Sequence, residues 1–306
     1  MRQPVTTAEA DRQLPLGDEI FLDHIGHFVR DAKAASQAMA RTGFAPAPLS
    51  VQVNPDGTPT GTGNHTVMFS RGYIEVLFKT ADTPLAQELD AALAQYAGVH
   101  LAAFSVADAA ATHQRIAAAG FAMRPLVQFQ RPVDTESGPG VAAFRVVRVE
   151  RGAMAEGRIQ LLTHRTEDTV WQKRWLSHPN GATGLIDMVV ASADVMEAAG
   201  RFARFTGRKA MPTAFGQAIQ LDRGMVQITT AESLKAMFPE INIPRLPFMP
   251  VYAVQVASLS AAEALLRQAD LGTRRIGAAL LALFPADLGV GAWLFVEKPS
   301  DLPWRA

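Results

Sequence analysis

Two chemically capable side chains stand inside otherwise apolar segments of the sequence. His24 lies in FLDHIGHFVR, and Glu75 lies between Ile74 and Val76 in YIEVLFK. An imidazole and a carboxylate are side chains that can move protons or ligate a divalent metal ion. A carboxylate within an apolar strand should not be buried without a partner, because burying an unpaired charge is costly. We therefore expect both residues to face a polar pocket.

Further polar residues are lower-ranked candidates for the same pocket. His65, in GTGNHT, begins a predicted strand, and a pocket rim and a plain turn are both open interpretations. His178, in SHPNG, either reaches across a domain junction or forms a connector turn, since Pro and Asn-Gly favour turns. His27 is expected on the helix-facing side of its strand as a core residue. The remaining candidates are His100, Gln160 and Asp187.

The composition argues against several kinds of function. The 306 residues include 29 basic and 29 acidic side chains, so no basic excess favours nucleic acid or an anionic membrane surface. The absence of cysteine excludes disulfides, thiolate metal sites and cysteine nucleophiles, and it fits a cytoplasmic location. No apolar run is long enough for a signal peptide or a bilayer span. GTGTGN does not precede a helix, which disfavours a phosphate-binding loop, and no serine-nucleophile motif is present.

One pattern occurs four times along the chain. An apolar strand leads to a small polar residue, then to an alanine-rich helix of three turns, and then to glycine. The polar residue can cap the helix N-terminus, and glycine can take the left-handed conformation that ends a helix. The predicted caps are Asp31, Asp108, Asp194 and Ser260, and the predicted terminal glycines are Gly43, Gly120, Gly207 and Gly272.

Each helix is followed by three short segments rich in Val, Ile, Leu and Phe, separated by turn residues such as NPDG and DRG. Each unit is therefore predicted to be a βαβββ module in an α+β protein. Two neighbouring modules can close their apolar faces into a half-barrel with a cavity. We predict a polar leader (1–18), a first pair of modules (19–166), a connector (167–181) and a second pair (182–306).

These segments resemble a known superfamily. LDHIGHFVRDAKAA and GTGNHTVMFSRGYIEVLF are similar to the opening module of glyoxalase-like proteins of the vicinal-oxygen-chelate (glyoxalase/bleomycin resistance/dioxygenase) superfamily, and HPNGA is similar to the start of their second half. The likeness covers the whole chain as architecture, but the distinctive motifs lie mostly in the first module. The superfamily contains isomerases, dioxygenases, transferases and binding proteins, so the resemblance leaves the reaction open.

The resemblance implies a metal site, with His24 at the first-strand ligand position and Glu75 at the fourth-strand position. Nitrogen and oxygen ligands of this kind suit Zn, Fe, Mn, Co or Ni. In the second module the matching positions are Leu101 and Gln160, with His100 adjacent on the other face unless a bulge shifts the register.

The second half of the chain offers a poorer ligand set. Its matching positions are Asp187, Gln227, Tyr252 and Leu294, which include no histidine. We therefore expect a structural or ligand-shaping role for this half. Dioxygenase chemistry, which the resemblance would place there, is disfavoured.

Three functional hypotheses follow from these residues. The first is a metal-dependent lyase or isomerase acting on a small oxygen-bearing molecule, in which His24 and Glu75 ligate the ion and a pocket carboxylate, Glu75, or a water moves the proton. The second is a metal-free protein that binds or sequesters a small molecule. The third is a structural or dimerisation role, and a homodimer is compatible with each hypothesis.

Overall fold

The computed structural model describes residues 12–54 and 56–305. Most of the predicted leader, residues 1–11, lies outside this range. Its last part packs on the domain, because Arg12 forms an ion pair with Glu19 at 2.9 Å and its backbone carbonyl accepts from the Arg223 side chain.

The first half of the chain forms a closed eight-stranded barrel. The sheet order is β1-β4-β3-β2-β6-β7-β8-β5. The strands are β1 (Ile20–Phe28), β2 (Ser50–Val53), β3 (Pro59–Met68), β4 (Tyr73–Lys79), β5 (Gly98–Val106), β6 (Val127–Thr135), β7 (Gly138–Arg148) and β8 (Arg158–His164), and the helices are α1 (Ala32–Arg41), α2 (Pro84–Leu93) and α3 (Ala109–Ala118).

The two modules of the barrel meet at two unequal seams. On one side β1 and β5 pair antiparallel along most of their length, and glycine at position 26 permits the close approach, since a Cβ there would lie 2.8 Å from the Leu101 Cβ. On the other side, within residues 12–54 and 56–305, β2 and β6 share one backbone pair, Val53 with Gln130. The predicted half-barrel is thus closed, but only weakly, at this second seam.

The second half forms an open eight-stranded sheet in the order β10-β11-β12-β9-β13-β16-β15-β14. A short helix, α4 (Glu167–Val170), and three short 3-10 helices complete the elements. The strands are β9 (Ala182–Ala191), β10 (Ala210–Thr213), β11 (Gly216–Gln220), β12 (Met225–Thr229), β13 (Phe248–Val256), β14 (Thr273–Ile276), β15 (Ala279–Leu283) and β16 (Ala292–Val296), and the helices are α5 (Val195–Thr206), α6 (Ala231–Met237) and α7 (Leu259–Gln268); the 3-10 helices are Lys173–Trp175, Ala286–Leu288 and Pro299–Asp301.

The predicted helix caps are confirmed in three of the four modules. The side chains of Asp31, Asp108 and Asp194 accept hydrogen bonds from backbone N–H groups in the first turns of α1, α3 and α5. In the fourth module the prediction of Ser260 is wrong, since Ser258 caps α7 by accepting from the backbone N–H of residue 261. A cap at either serine satisfies the same sequence pattern, so spacing alone did not separate them.

The predicted glycines end the helices in three of the four modules. Gly43, Gly120 and Gly207 have positive φ values of 81°, 89° and 69°, as predicted for glycines that end a helix. After α7 the positive φ belongs to Asp270, at 58°, and not to Gly272. Aspartate adopts the left-handed conformation more readily than most residues, so Asp270 can end the helix where glycine was predicted.

The largest hydrophobic core includes buried residues of both halves and joins them. It contains Ile25 and Val76 of the barrel together with Met188 and Phe295 of the open sheet. A bidentate ion pair with distances of 2.6 and 2.8 Å connects Glu156 of the first half to Arg201 on α5. None of the helices in the described ranges is long and apolar enough to cross a membrane.

Candidate functional site

The barrel encloses a small cavity of about 60 Å³ between its two modules. Its apolar wall includes Leu77, Leu101, Phe129 and Leu162, which keeps the polar groups away from bulk water. The polar wall is formed by His24, Gln52, Asn64, Thr66, Tyr73, Glu75, Arg131, Arg148, Arg158 and Gln160. His24, Glu75 and Gln160, three of the residues named from the sequence, therefore share one cavity.

His24 is fixed by a carboxylate that the sequence pattern did not single out. Asp23 is fully buried, and its two oxygens lie 2.7 Å from His24 Nδ1 and 2.8 Å from His164 Nε2. Burial would raise the pKa of Asp23, but the two imidazoles outweigh it and hold that pKa well below its usual range. An ionised carboxylate only accepts, so His24 donates from Nδ1 and, when neutral, keeps the lone pair on Nε2.

A β-bulge explains why strand alternation missed Asp23. Leu22 pairs with Phe104 and His24 with Ala103, so Asp23 is the extra residue of the bulge. Strict alternation would place the side chains of residues 23 and 24 on opposite faces, whereas a bulge re-aims one of them. The only sequence signal was the direct adjacency of Asp and His.

Glu75 is positioned by the amides around it. The Asn64 side chain donates to Glu75 Oε1 at 2.5 Å, and the Gln52 amide lies 3.4 Å from the same oxygen. The other oxygen, Oε2, lies 3.5 Å from His24 Nε2. The Tyr73 ring stacks on the imidazole of His24 with centroids 4.4 Å apart and limits its rotation.

The spacing of His24 and Glu75 fits a shared metal ion. Two ligand atoms that are each about 2.1 Å from a tetrahedral ion lie about 3.4 Å apart, close to the observed 3.5 Å. The Asp23 contact is of the type that orients metal-binding histidines. The number of protein ligands is small, however. Among the described residues, no three His, Cys, Asp or Glu side chains converge as metal ligands. Of the two matching positions in the second module, Gln160 offers an amide oxygen and Leu101 offers no ligand atom.

Three arginines in the cavity were also missed by the sequence reasoning. Arg131 on β6, Arg148 on β7 and Arg158 on β8 all line it. Arg158 contacts Glu88 of α2 at 3.3 Å, and its guanidinium lies over the Phe28 ring. Two-residue alternation places Arg158 on the same face of β8 as Gln160, but the sequence reasoning considered only the positions that match His24 and Glu75.

A match to a protein-family model identifies the family of this chain. A family model described as a glyoxalase-like domain matches residues 22–206, more than half of the chain. The chain belongs to this glyoxalase-like family. The match includes the barrel with the His24 and Glu75 pair and extends through β9 and α5 of the second half. A search of curated proteins found no match to the sequence.

Solved structures support the fold of this glyoxalase-like protein across both halves. A hypothetical protein from Staphylococcus aureus has a TM-score of 0.64 at 9% identity, with 90% of this chain and 98% of that chain covered. A mutant of 4-hydroxymandelate synthase from Streptomyces coelicolor has a TM-score of 0.53 at 13% identity, covering 90% and 92%. An Mn(II)-bound glyoxalase from Novosphingobium aromaticivorans has a TM-score of 0.52 at 13% identity, covering 92% and 83%. The predicted α+β fold of paired βαβββ modules is thus confirmed.

The remaining histidines of the glyoxalase-like barrel lie outside the central cavity. His65 is buried in β3, and its ring nitrogens have no hydrogen-bond partner within residues 12–54 and 56–305. Burial lowers the pKa of His65 to about 4. His27, as expected, lies in the core, where its ring contacts the Leu288 carbonyl and the Tyr252 hydroxyl of the second half.

His100 and His178 have structural surroundings. A second bulge places His100 between Val99 and Leu101 without a partner on β1, and its ring stacks on Tyr96 and donates to the Tyr96 carbonyl at 2.8 Å. It faces an outer cleft and not the cavity. His178 accepts from the backbone N–H of residue 45 and donates to the Met68 carbonyl, so it reaches across the junction between the two halves.

The side chain of Asp187 is bound by two residues near the C-terminal end of the second half. Arg305 contacts both Asp187 oxygens at 2.8 and 2.7 Å, and the Trp304 indole donates to it at 2.9 Å. Trp304, Leu302 and Phe238 also belong to the apolar core on this face of the open sheet. The second half therefore fills the space that corresponds to the barrel cavity. The Ser258 cap also moves the position that matches His24 to Val251, so Tyr252 lies on the opposite face.

Proposed function

We propose that this protein is a metal-dependent enzyme of the lyase or isomerase type, acting on a small molecule that carries neighbouring oxygen atoms. The observation that carries the proposal is the 3.5 Å separation of His24 Nε2 and Glu75 Oε2, with Asp23 fixing the imidazole behind it. The Mn(II)-bound glyoxalase of similar fold adds support by analogy. A cytoplasmic location is part of the same proposal, since the chain has no cysteine.

The side chains of the cavity would have different roles in this function. A bound divalent ion would act as a Lewis acid on the ligand's oxygens. His24 and Glu75 would hold it, while Asp23 keeps the His24 lone pair directed into the cavity and Asn64 fixes one oxygen of Glu75. Glu75 Oε2 would face the ion and Oε1 already accepts from Asn64, so a proton from the ligand would pass either to a water in the cavity or to Glu75 Oε2 once it releases the ion. The apolar wall excludes water from the reacting atoms.

A metal-free binding protein is the second candidate. Leu101 replaces the ligand that would pair with His24 across the two modules, and Gln160 is a weak ligand. An imidazole and a carboxylate 3.5 Å apart can also act as a polar pair that receives a hydroxyl or carbonyl group of a bound molecule. The two candidates share the cavity and differ in whether an ion occupies it.

Metal binding by the untagged protein distinguishes the metal-dependent enzyme from the metal-free binding protein. The parent protein and the variants His24→Ala, Glu75→Ala and His113→Ala would be titrated with Mn²⁺ and Zn²⁺ after removal of bound metal. The proposal expects one ion per parent chain, at least about a tenfold loss of affinity in the first two variants, and no change in the third, because His113 lies on α3 outside the cavity. Absence of binding by the parent, with circular dichroism showing a folded chain, would favour the metal-free candidate.

A further inference from the structure

The cavity carries more positive charge than its own carboxylate can balance. Arg131, Arg148 and Arg158 line it, whereas Glu75 is the only acidic residue that the described part of the chain contributes to its wall. Glu88 offsets Arg158 from outside the cavity. Asp23 is a further negative charge behind the cavity wall, but its two oxygens contact His24 and His164 and neither contacts an arginine of the cavity.

Two of these arginines have unused donors. Arg148 is 8% exposed, its Nε has no hydrogen-bond partner among the described residues, and its guanidinium lies over the Phe129 ring at 5.3 Å. Burial lowers the pKa of Arg148 to about 10, so it stays charged at neutral pH. Within the same ranges, no hydrogen bond or ion pair uses the Arg131 guanidinium, although Glu75 is close enough to attract it. A guanidinium presents five N–H donors; of these two arginines, Arg148 has in its Nε the donor that is both buried and unpaired, which is costly, while Arg131 is partly exposed.

The approach to the cavity is also cationic. Arg148 and Arg158 line an outer cleft of about 450 Å³ as well as the cavity. Arg124, Arg151 and Arg245 line that cleft too, while its acidic residues are Glu88, Glu150 and Glu156, the last of which is bound by Arg201. The basic residues of the cleft outnumber the acidic ones, and such an excess of positive charge attracts anionic ligands.

We propose that the molecule bound beside His24 and Glu75 is a small anion, a carboxylate or a phosphate ester, whose acidic group is held by Arg131 and Arg148. This inference rests on the proposed function for the location of the ligand and adds its chemical class. Arginine is suited to the role because its planar fork can donate two parallel hydrogen bonds to a carboxylate or phosphate. An anion there would satisfy the unpaired donors and offset the excess charge.

The test compares small probes that carry a negative charge with a neutral probe of the same size. Glycolate and glycolamide have the same number of heavy atoms and the same hydroxyl, and inorganic phosphate represents the second anion class. Binding of each would be measured by calorimetry to the full chain, with and without added Mn²⁺. We expect glycolate or phosphate to bind at least about tenfold more tightly than glycolamide in both conditions. Whichever anion binds more tightly identifies the acidic group.

The variants Arg148→Met and Arg131→Met should each weaken binding of that anion at least about tenfold, and Arg131→Lys should recover part of it. Arg145→Met is the matched control, because residue 145 lies on β7 between the cavity-lining residues 144 and 146 and faces the other side. Equal binding of glycolate and glycolamide, no binding of either anion, or full affinity in folded Arg148→Met would overturn the inference. Loss of Mn²⁺ binding alone would contradict the proposed function but not this one, since the anions are also tested without metal.

Discussion

Replacing Asp23 by Asn is the most informative single change in the cavity wall. The two side chains have the same shape, but an amide accepts through one oxygen only and donates through its nitrogen. Either His24 Nδ1 or His164 Nε2 would then face an N–H group and would have to give up its own proton. If His24 changes, its proton moves to Nε2, and the lone pair directed toward Glu75 is lost.

The structure sets the size of the effect. Asp23 is fully buried and makes two charge-assisted hydrogen bonds, at 2.7 and 2.8 Å. Such bonds contribute about 1.5–3 kcal/mol each, and the amide retains part of both, so we expect a loss of about 2 kcal/mol in the free energy of unfolding at pH 7. Loss of a carboxylate that orients a metal-binding histidine typically lowers metal affinity by about 10- to 100-fold.

The pH dependence gives a second readout of the same carboxylate. The pKa of Asp23 is lower in the folded chain than in the unfolded chain. Its stabilising contribution is therefore present above about pH 4 and is lost as the pH falls below that value. Asp23→Asn should show a flatter fall in stability below about pH 4 than the parent.

Three measurements decide the matter: urea unfolding from about pH 3 to pH 7, Mn²⁺ titration, and nitrogen-15 NMR of the imidazoles. The NMR spectrum of the parent should show His24 protonated at Nδ1, whether or not metal binds. An Asp23→Asn variant that keeps that tautomer, the parent's stability and its metal affinity would refute the role assigned to Asp23.

Further predictions concern stability. His65→Leu should raise the free energy of unfolding at pH 7 by about 1 kcal/mol in urea denaturation, because a buried imidazole without a described partner is replaced by an apolar group; a lower midpoint would reveal a hydrogen bond to His65. Stability should also fall from about pH 6.5 toward pH 4. Burial lowers the pKa values of His27, His65 and His100 to about 4, so the unfolded chain binds protons at these residues before the folded chain does. Urea midpoints that stay constant over this pH range would contradict this prediction. Arg305→Ala should cost about 3 kcal/mol by leaving Asp187 buried without its cation, and thermal unfolding at an unchanged Tm would show that the pair is dispensable.

The regular parts of the fold were predictable from the sequence because they depend on local patterns. Asp31, Asp108 and Asp194 begin helices for the reason that any N-cap does, and apolar strands with turn residues between them located the sheets. α2 and α6 were not predicted, since each lies between modules and interrupts the repeat. The open form of the second sheet was not predicted either, because it depends on how the end of the chain packs.

The candidate site was predictable only where its residues obey strand alternation. His24, Glu75 and Gln160 follow that alternation, and the structure places them in one cavity. Asp23 and His100 do not, because each is the extra residue of a β-bulge, whose position depends on pairing between distant strands.

Among the described residues, one backbone pair joins β2 to β6, and this affects the edge of the barrel at which the cavity can open. Every other seam of the barrel is held by several rungs, but here the wall is completed by Val53 and Gln130, beside Pro132, which has no N–H to extend the ladder. Separating these two strands would break less described backbone pairing than separating any other two neighbouring strands of the barrel. A ligand too large for the cavity would therefore be accommodated with least loss of sheet structure by movement of β2 away from β6.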